Sequence, residues 1–555
     1  MIFQRPGTRV PLSLLWHTVR QLRPSQVINR VARRLPRRVP SAPAGLTLAP
    51  LEAPWVAPVP TAPHLVAPTR IRIHDHERDI GSAEAWSATD VSHLWLYHLH
   101  YFDELCAPPA SDRTVWRREL VTRWIRENPP GVGTGWEPYP ASLRVVNWIK
   151  WHLAGNALGE DGLHSLATQL SSIASRLEFH LLGNHLFENA KALCFGGRFL
   201  RGAAADRWWE KGHRLLEHEL AEQILPDGGH FELSPMYHAR MLENVLDLIN
   251  LERAFGRRTT APLQDHAQRM LEWLAVMTHP DGGIALFNDA ALGQAPRLAE
   301  LVAYAERLGL APPPVPRCPL HWLAWSGYGR VTVGPWVGFL DVAEVGPSYL
   351  PAHGHADALT FELSLCGERF VVDTGTQTYE DGSARWQERS TAAHNTIEID
   401  GQSSSEVWKA FRVGRRARVS APVVEDLDGG CRVTGSHDGY ARIGSGVLHK
   451  RTWEFRGSTI SIADLLAGSG RHEVALRLHF HPSVRIELAG PNEFALLRSG
   501  RRIARFIGDP ALAFEIEPAS YHPTFGSSDS SLRLTGRASV ELPASLLVTL
   551  IADQT

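Results

Sequence analysis

Thiol chemistry is nearly absent from this sequence. Its five cysteines (Cys106, Cys194, Cys318, Cys366, Cys431) are scattered, odd in number and form no CxxC pair. That argues against a disulfide framework and against a thiolate zinc site. No apolar run approaches the roughly 20 residues of a membrane-spanning helix, so no transmembrane segment is expected. Charge of either sign is not in excess: 57 Lys and Arg stand against 59 Asp and Glu, for a net charge of −2. Global charge therefore announces neither a nucleic-acid nor a membrane partner. The apolar stretch Leu12–Trp16 is too short for the core of a signal peptide, which points to a cytoplasmic protein. The composition sets no oligomeric state.

What is present begins with size. A chain of 555 residues, 44% apolar and 21% charged, is a soluble globular protein of more than one domain. Its 27 histidines supply proton carriers and metal ligands. Its 18 tryptophans suit a carbohydrate-binding protein, whose flat rings stack on sugar faces, and equally suit a large core. The first 38 residues hold nine arginines and no acid. This segment reads as a basic helical arm packed on the body, as a mimic of a transit peptide, or as an arm lying on an anionic membrane surface or glycan.

Residues 39–70 are rich in Pro and Ala and read as an extended linker wrapping the surface. From about 90 to 310 apolar residues recur at three- and four-residue steps, predicting helices over Thr114–Glu127, Ser142–Leu153, Gly162–Leu181, Leu186–Leu200, Arg207–Ile224, Tyr237–Phe255, Ala261–Met277 and Arg297–Leu308. Two PDGG turns, at 226–229 and 280–283, lie 54 residues apart after similar helices and hint at a repeated helical hairpin. Beyond the Pro-rich segment 311–319, alternation of period two takes over (GRVTVG, LTFELSL, NTIEID, ALRLHFH), predicting antiparallel strands. The chain divides accordingly into a basic arm and linker (1–75), a helical domain (76–315) and a β domain (316–555).

Four clusters carry chemistry. Gly183-Asn184-His185-Leu186-Phe187-Glu188-Asn189 opens a helix, where Asn184 is either an ordinary cap or a group that holds a substrate carboxylate at a helix N-terminus. In the second cluster, the turn at 226–229 leads into a helix beginning with Tyr237 and His238, either packing residues or a proton carrier and its neighbour. The third, Pro351-Ala352-His353-Gly354-His355-Ala356-Asp357, places two histidines two apart, a spacing that aims both the same way in extended chain. With Asp373 and His394, His355 makes either a divalent-metal set of the N/N/O type suited to zinc or a polar knot tying strands together.

In these blocks the chain resembles the bacterial heparinase II/III polysaccharide lyases, over roughly residues 90–540. The stretches that carry the resemblance are WLYHLHYFD (95–103), GNHLFENAKAL (183–193), DGGHFELSPMYH (227–238), HGHADALTFELSLCGERFVVDTGTQTY (353–379) and HNTIEIDG (394–401). Segment 16–26 looks like the N-terminal arm of relatives linked to exopolysaccharide production. The resemblance implies a multidomain α+β protein, with an N-terminal (α/α) toroid followed by a C-terminal antiparallel β-sandwich and the active site in the cleft between them. It implies β-elimination at a hexuronic acid, with Asn184 neutralising the substrate carboxylate, Tyr237 as acid/base and His353 as its partner. It implies a structural metal, zinc or another divalent cation, on His355, Asp373 and His394, an acidic polysaccharide as partner, and no organic cofactor. It also makes the periplasm or cell envelope an alternative location.

These residue types suit that reaction. A neutral amide at Asn184 can hydrogen-bond a carboxylate without titrating, and Tyr237 and His353 can each carry a proton. His185, Glu188, His238, Glu137, Arg385 and Arg389 are candidates for holding the sugar. The cations Lys409, Arg412, Arg415 and Arg416 either bind acidic sugars with them or form a solvated basic face. Two rival readings remain. One is an inverting glycoside hydrolase using carboxylates among Glu137, Asp227 and Glu232, and the other is a non-catalytic glycan-binding assembly factor.

Overall fold

The computed structural model describes residues 10–34, 40–74, 76–256, 261–316, 318–443 and 446–553. Parts of the basic arm, residues 1–9 and 35–39, lie outside them. Up to about residue 310 the described chain is mainly helical: α1 (Leu12–Val19), α2 (Pro24–Ala32), α3 (His93–Tyr101), α4 (Ser111–Glu127), α5 (Pro138–Leu153), α6 (Gly159–Ser175), α7 (Gly183–Phe199), α8 (Ala203–Gln223), α9 (Pro235–Ala254), α10 (Ala261–Val276) and α11 (Leu298–Arg307). Each helix expected from periodicity is present with its ends within a few residues, apart from that expected over 162–181, which ends at Ser175. Helix α3, HLWLYHLHY, escapes a period count because its non-aliphatic positions are aromatic or histidine, two of which, His100 and Tyr101, are buried with Trp95. The Pro/Ala-rich segment runs extended over the helical half: Glu52 N–H donates to Ala254 O (2.8 Å), and Val56 N–H to Asn250 Oδ1 (3.2 Å).

From Leu320 onward the regular structure is antiparallel sheet, apart from the short α12 (Ser383–Glu388) and brief 3-10 turns, with irregular loops such as 342–360 between strands. Its spine is two long strands, Thr459–Phe480 and Asp529–Ala552, paired along most of their length with one break in register between Leu466 and Gly470. The helical half and the sheet each bury a core of their own. A third apolar cluster, including Leu233, Trp273, Met277, Phe287, Tyr328 and Phe339, fills the seam between them.

The strand Phe361–Leu365 shows how the seam is made, because it is buried on both faces. Phe361, Leu363 and Leu365 enter the sheet core. Glu362 and Ser364 turn to the helical half, where His279 reaches Glu362 Oε2 (2.6 Å) and Ser364 Oγ (2.8 Å) and Leu286 N–H donates to Glu362 Oε1 (3.0 Å). The two PDGG turns dock on the same seam. In each, the Asp Oδ1 accepts from the second Gly N–H, Gly229 at 3.1 Å and Gly283 at 2.8 Å, and the first Gly has positive φ (+89° and +82°), a conformation costly for other residues. The other oxygen of each Asp crosses the seam. Asp227 Oδ2 accepts from the N–H groups of Trp325 (2.9 Å) and Ser326 (2.7 Å), and Asp281 Oδ2 accepts from Arg369 Nε (2.8 Å). The repeat read in the sequence is a repeated tether.

Candidate active site

A cleft of about 800 Å³ lies between the two halves. Asn184, His185, Glu188, Glu232, Tyr237, Arg240, His353 and Tyr379 line it, so Asn184, Tyr237 and His353 face one space.

Local sequence sets Tyr237 in place. Ser234 caps α9, its Oγ accepting from Tyr237 N–H (3.3 Å), and Pro235 occupies the first turn, where its missing N–H costs nothing. Tyr237 thus falls in the first turn with its ring against His353 (centroids 4.0 Å apart) and its hydroxyl 3.2 Å from that of Tyr379. Burial, together with the neighbouring phenols of Tyr379 and Tyr139, raises its pKa well above the ordinary 10. The resting group is a neutral phenol, a proton donor.

Asn184 is not the cap expected of it. Leu182 holds that position, and Asn184 is the second residue of α7. The helix N-terminus already holds a carboxylate: Glu232 Oε1 accepts from Asn184 N–H (3.3 Å). A side chain on Gly183, at φ +53°, would run into this carboxylate and Leu350, so Gly is required there. Glu232 Oε2 lies 3.3 Å from His353 Nε2. Burial raises the Glu232 pKa against the opposing pull of His353 and of the Asn184 N–H.

Asp289 orders both histidines of the third cluster. His353 Nδ1–H donates to its Oδ2 (2.9 Å) and His355 Nε2–H to its Oδ1 (2.8 Å). Arg385 forms a two-pronged ion pair with the same carboxylate, one prong at 2.6 Å. Burial by itself would raise the Asp289 pKa, but the Arg385 guanidinium and the two imidazoles outweigh it and hold the acid well below the usual carboxylate range. Asp289 and Tyr379 had no role in the sequence reading, and Glu232 figured only as a hydrolase acid.

Behind His353 lies a buried polar pocket. Ligand atoms of His355, Asp357 and His394 all lie within 4.8 Å of one another. His355 Nδ1, Asp357 Oδ2 and His394 Nε2 are buried without a hydrogen-bond partner, the condition of atoms that await a cation. Asp373, expected as a ligand, instead accepts from His394 Nδ1–H (2.7 Å). It backs one imidazole as Asp289 backs the other, the usual outer partner of a metal-binding histidine. Burial pushes the Asp357 carboxyl up to about 6 and the His355 imidazole down to about 3. Asp341 and Asp373 are raised nearby for the same reason. Such a concentration of buried acid fits a divalent cation.

Other expected site residues divide. His185 stacks on Tyr139 (4.2 Å) at the cleft wall, and Glu188, also on the wall, accepts from Asn244 Nδ2 (2.6 Å). Arg412 and Arg416 reach the cleft, but Lys409 and Arg415 do not. His238 is fully buried, stacked on Trp273 and bonded through both nitrogens to backbone, so it cannot touch a sugar. Arg385 and Arg389 are fully buried as well. Arg389 donates to the carbonyls of Gly354, Lys409, Ala410 and Arg412, so neither arginine meets solvent. Glu137 is off the cleft wall and takes the Tyr97 hydroxyl, while Asp227 is the tether described above, so the hydrolase carboxylates do not assemble.

Comparison with known proteins gives a consistent result. The description "Heparinase II/III N-terminus" matches residues 111–308, and "Heparinase II/III-like, C-terminal" matches residues 315–547. The chain is 25% identical over 374 residues to a heparin-sulfate lyase of Pedobacter heparinus, covering 59% of this chain and 55% of the relative. It is 27% identical over 248 residues to one of Bacteroides stercoris, covering 40% and 36%. It spans about half the length, or less, of the curated relatives it matches. Among solved structures, a heparan sulfate lyase mutant from Pedobacter heparinus superposes with a TM-score of 0.63 at 18% identity, over 88% of this chain and 81% of the other. Heparinase III superposes with a TM-score of 0.66 at 18% identity, over 86% and 79%.

Proposed function

The chain belongs to the heparinase II/III family, and on that premise we propose that it is a polysaccharide lyase that cuts a uronic-acid-containing glycan by β-elimination. The helices from α3 to α11 are read as an (α/α) toroid and the large sheet as an antiparallel sandwich, with the division 1–75, 76–315 and 316–555. The observation that carries the reading is the meeting of Asn184, Glu232, Tyr237 and His353 around one cleft.

The reaction removes the C5 proton of the uronate, forms the C4–C5 double bond and breaks the C4–O4 bond, with a proton delivered to O4. C5–H is weakly acidic because the adjacent carboxylate is already negative. The Asn184 amide and the Glu232 carboxyl, its pKa raised by burial, can share hydrogen bonds with that carboxylate and let charge spread into it. With Nδ1–H committed to Asp289, His353 offers Nε2 as the base. Tyr237, a neutral phenol at rest, is placed to protonate the departing oxygen. No electrons leave the sugar, so no organic cofactor is called for.

A zinc or other divalent cation fits His355, Asp357 and His394, with Asp289 and Asp373 behind the imidazoles. When bound, it would neutralise the buried acids and brace the loop that carries His353.

The test is incubation with a panel of acidic polysaccharides, heparan sulfate first. A product that absorbs in the ultraviolet, as an unsaturated uronide does, is expected. Chain cleavage without that absorbance would establish a hydrolase, and binding without cleavage of any member would establish the assembly-factor reading.

A further inference from the structure

The N-terminal arm lies outside both matched family regions, and the elimination chemistry makes no use of it. Its two helices bridge the seam by polar contacts. Trp408 Nε1–H donates to Thr18 Oγ1 (3.1 Å). Arg23 pairs with Glu222 and stacks on Tyr349, its guanidinium carbon 3.6 Å from the ring centre. The buried Gln26 donates to Tyr349 O (3.4 Å), and Arg33 lies 3.7 Å from Glu178. Leu14, against Gly414, is an apolar exception.

The pattern is the reverse of an ordinary surface helix, which turns its apolar side inward. Here the polar side chains hold the body, and the large apolar ones stand in solvent: Leu12 is 83% exposed, Trp16 65%, Ile28 66% and Val31 62%, with Leu15, Val19 and Val27 also exposed. No other stretch of comparable length among the described residues exposes so many. Interleaved with them, Arg20, Arg30 and Arg34 are exposed and have no acidic partner among the described residues. The first 38 residues contain no acid at all.

We infer that this arm docks the protein on an anionic lipid surface. Exposed aliphatic and tryptophan side chains on short helices, flanked by arginine and free of acid, match an interface whose interior is apolar and whose headgroups are negative. A second copy of the arm is a poor occupant, because it would set one acid-free arginine cluster against another. No helix among the described residues is long and apolar enough to cross a membrane, so the arm lies on the lipid rather than in it. Because Val19, Val27, Arg30, Val31 and Arg34 also line the cleft, docking brings the arm's side of the cleft to the lipid surface.

The experiment is co-sedimentation of the full chain with vesicles of phosphatidylcholine alone, or of phosphatidylcholine with about one third phosphatidylglycerol. Wild type should partition onto the anionic vesicles and be released by salt. The triple variant Leu12→Ser/Trp16→Ser/Ile28→Ser should lose at least about tenfold in partitioning, while its melting temperature stays that of wild type. Failure of wild type to bind anionic vesicles, or binding that the triple variant retains, overturns the proposal. Concentration-dependent self-association that the triple variant abolishes, without vesicle binding, overturns it in favour of a second copy. None of these outcomes depends on the lyase reading, which the polysaccharide panel tests by itself.

Discussion

Replacing Tyr237 by Phe removes a single oxygen, and the structure sets two very different magnitudes for its loss. For folding, the oxygen makes one neutral contact, to the Tyr379 hydroxyl at 3.2 Å, worth about 1 kcal/mol. The ring keeps its place on His353, so melting should shift by no more than about 2 °C. For chemistry, the proposed role of the same oxygen is proton donor to the leaving group, and losing a general acid lowers turnover by at least ~100-fold, or about 2.7 kcal/mol in barrier. The assay is the initial rate of ultraviolet absorbance on whichever glycan the wild type cuts fastest, with thermal melting measured in parallel. Tyr379→Phe is the control, since it breaks the same contact but spares the Tyr237 oxygen, and should lose less activity. Because burial holds the Tyr237 phenol neutral, the wild-type turnover profile should show no tyrosine ionisation below pH about 10. A Tyr237→Phe enzyme that turns over within about threefold of wild type, far short of the loss of a general acid, would refute its role.

Asp289→Asn should cut activity and cost about 3–5 kcal/mol of stability, because the buried Arg385 loses its counter-charge; an unchanged melting temperature would refute that account. For the metal pocket, elemental analysis should find a divalent metal in the wild type, lost in Asp357→Asn, with affinity lowered about 10–100-fold in Asp373→Asn. Equal metal content in all three proteins would reject the assignment. Asp464, buried beside Arg451 and His449, is pushed up by burial but pulled down further by that pair, to about 2. A depressed carboxylate stabilises the fold above its unfolded pKa of about 3.9, and the gain disappears as pH falls toward 2. Asp464→Asn should flatten that acid limb by about 2–3 kcal/mol in denaturation measured against pH, and an unaltered limb would exclude it.

Much of this was legible because the signals are local. Ser234-Pro235 announces a helix start and so sets Tyr237 in its first turn, and the two PDGG turns repeat one hydrogen-bond pattern. What was not legible depends on partners remote in sequence. Arg385 looks like a surface cation until Asp289 meets it in the core. Asp373 passes for a metal ligand until His394 turns Nδ1 toward it, leaving Asp357, two residues beyond His355, as the acid in the pocket. Asn184 looks like a cap until the positive-φ backbone of Leu182 and Gly183 starts the helix two residues earlier. Glu232 cannot be recognised as the neighbour of His353 from a stretch of sequence that contains only one of them.

The seam constrains how the cleft can open. Three acids on it, Asp227, Asp281 and Glu362, each bond groups of both halves, and one of those groups is a buried imidazole. Swinging the halves apart would break all three junctions at once and wet an apolar layer besides. Opening the cleft by parting its walls would therefore cost those junctions, so on the proposed function the glycan is expected to slide in along the cleft rather than between jaws that open and shut.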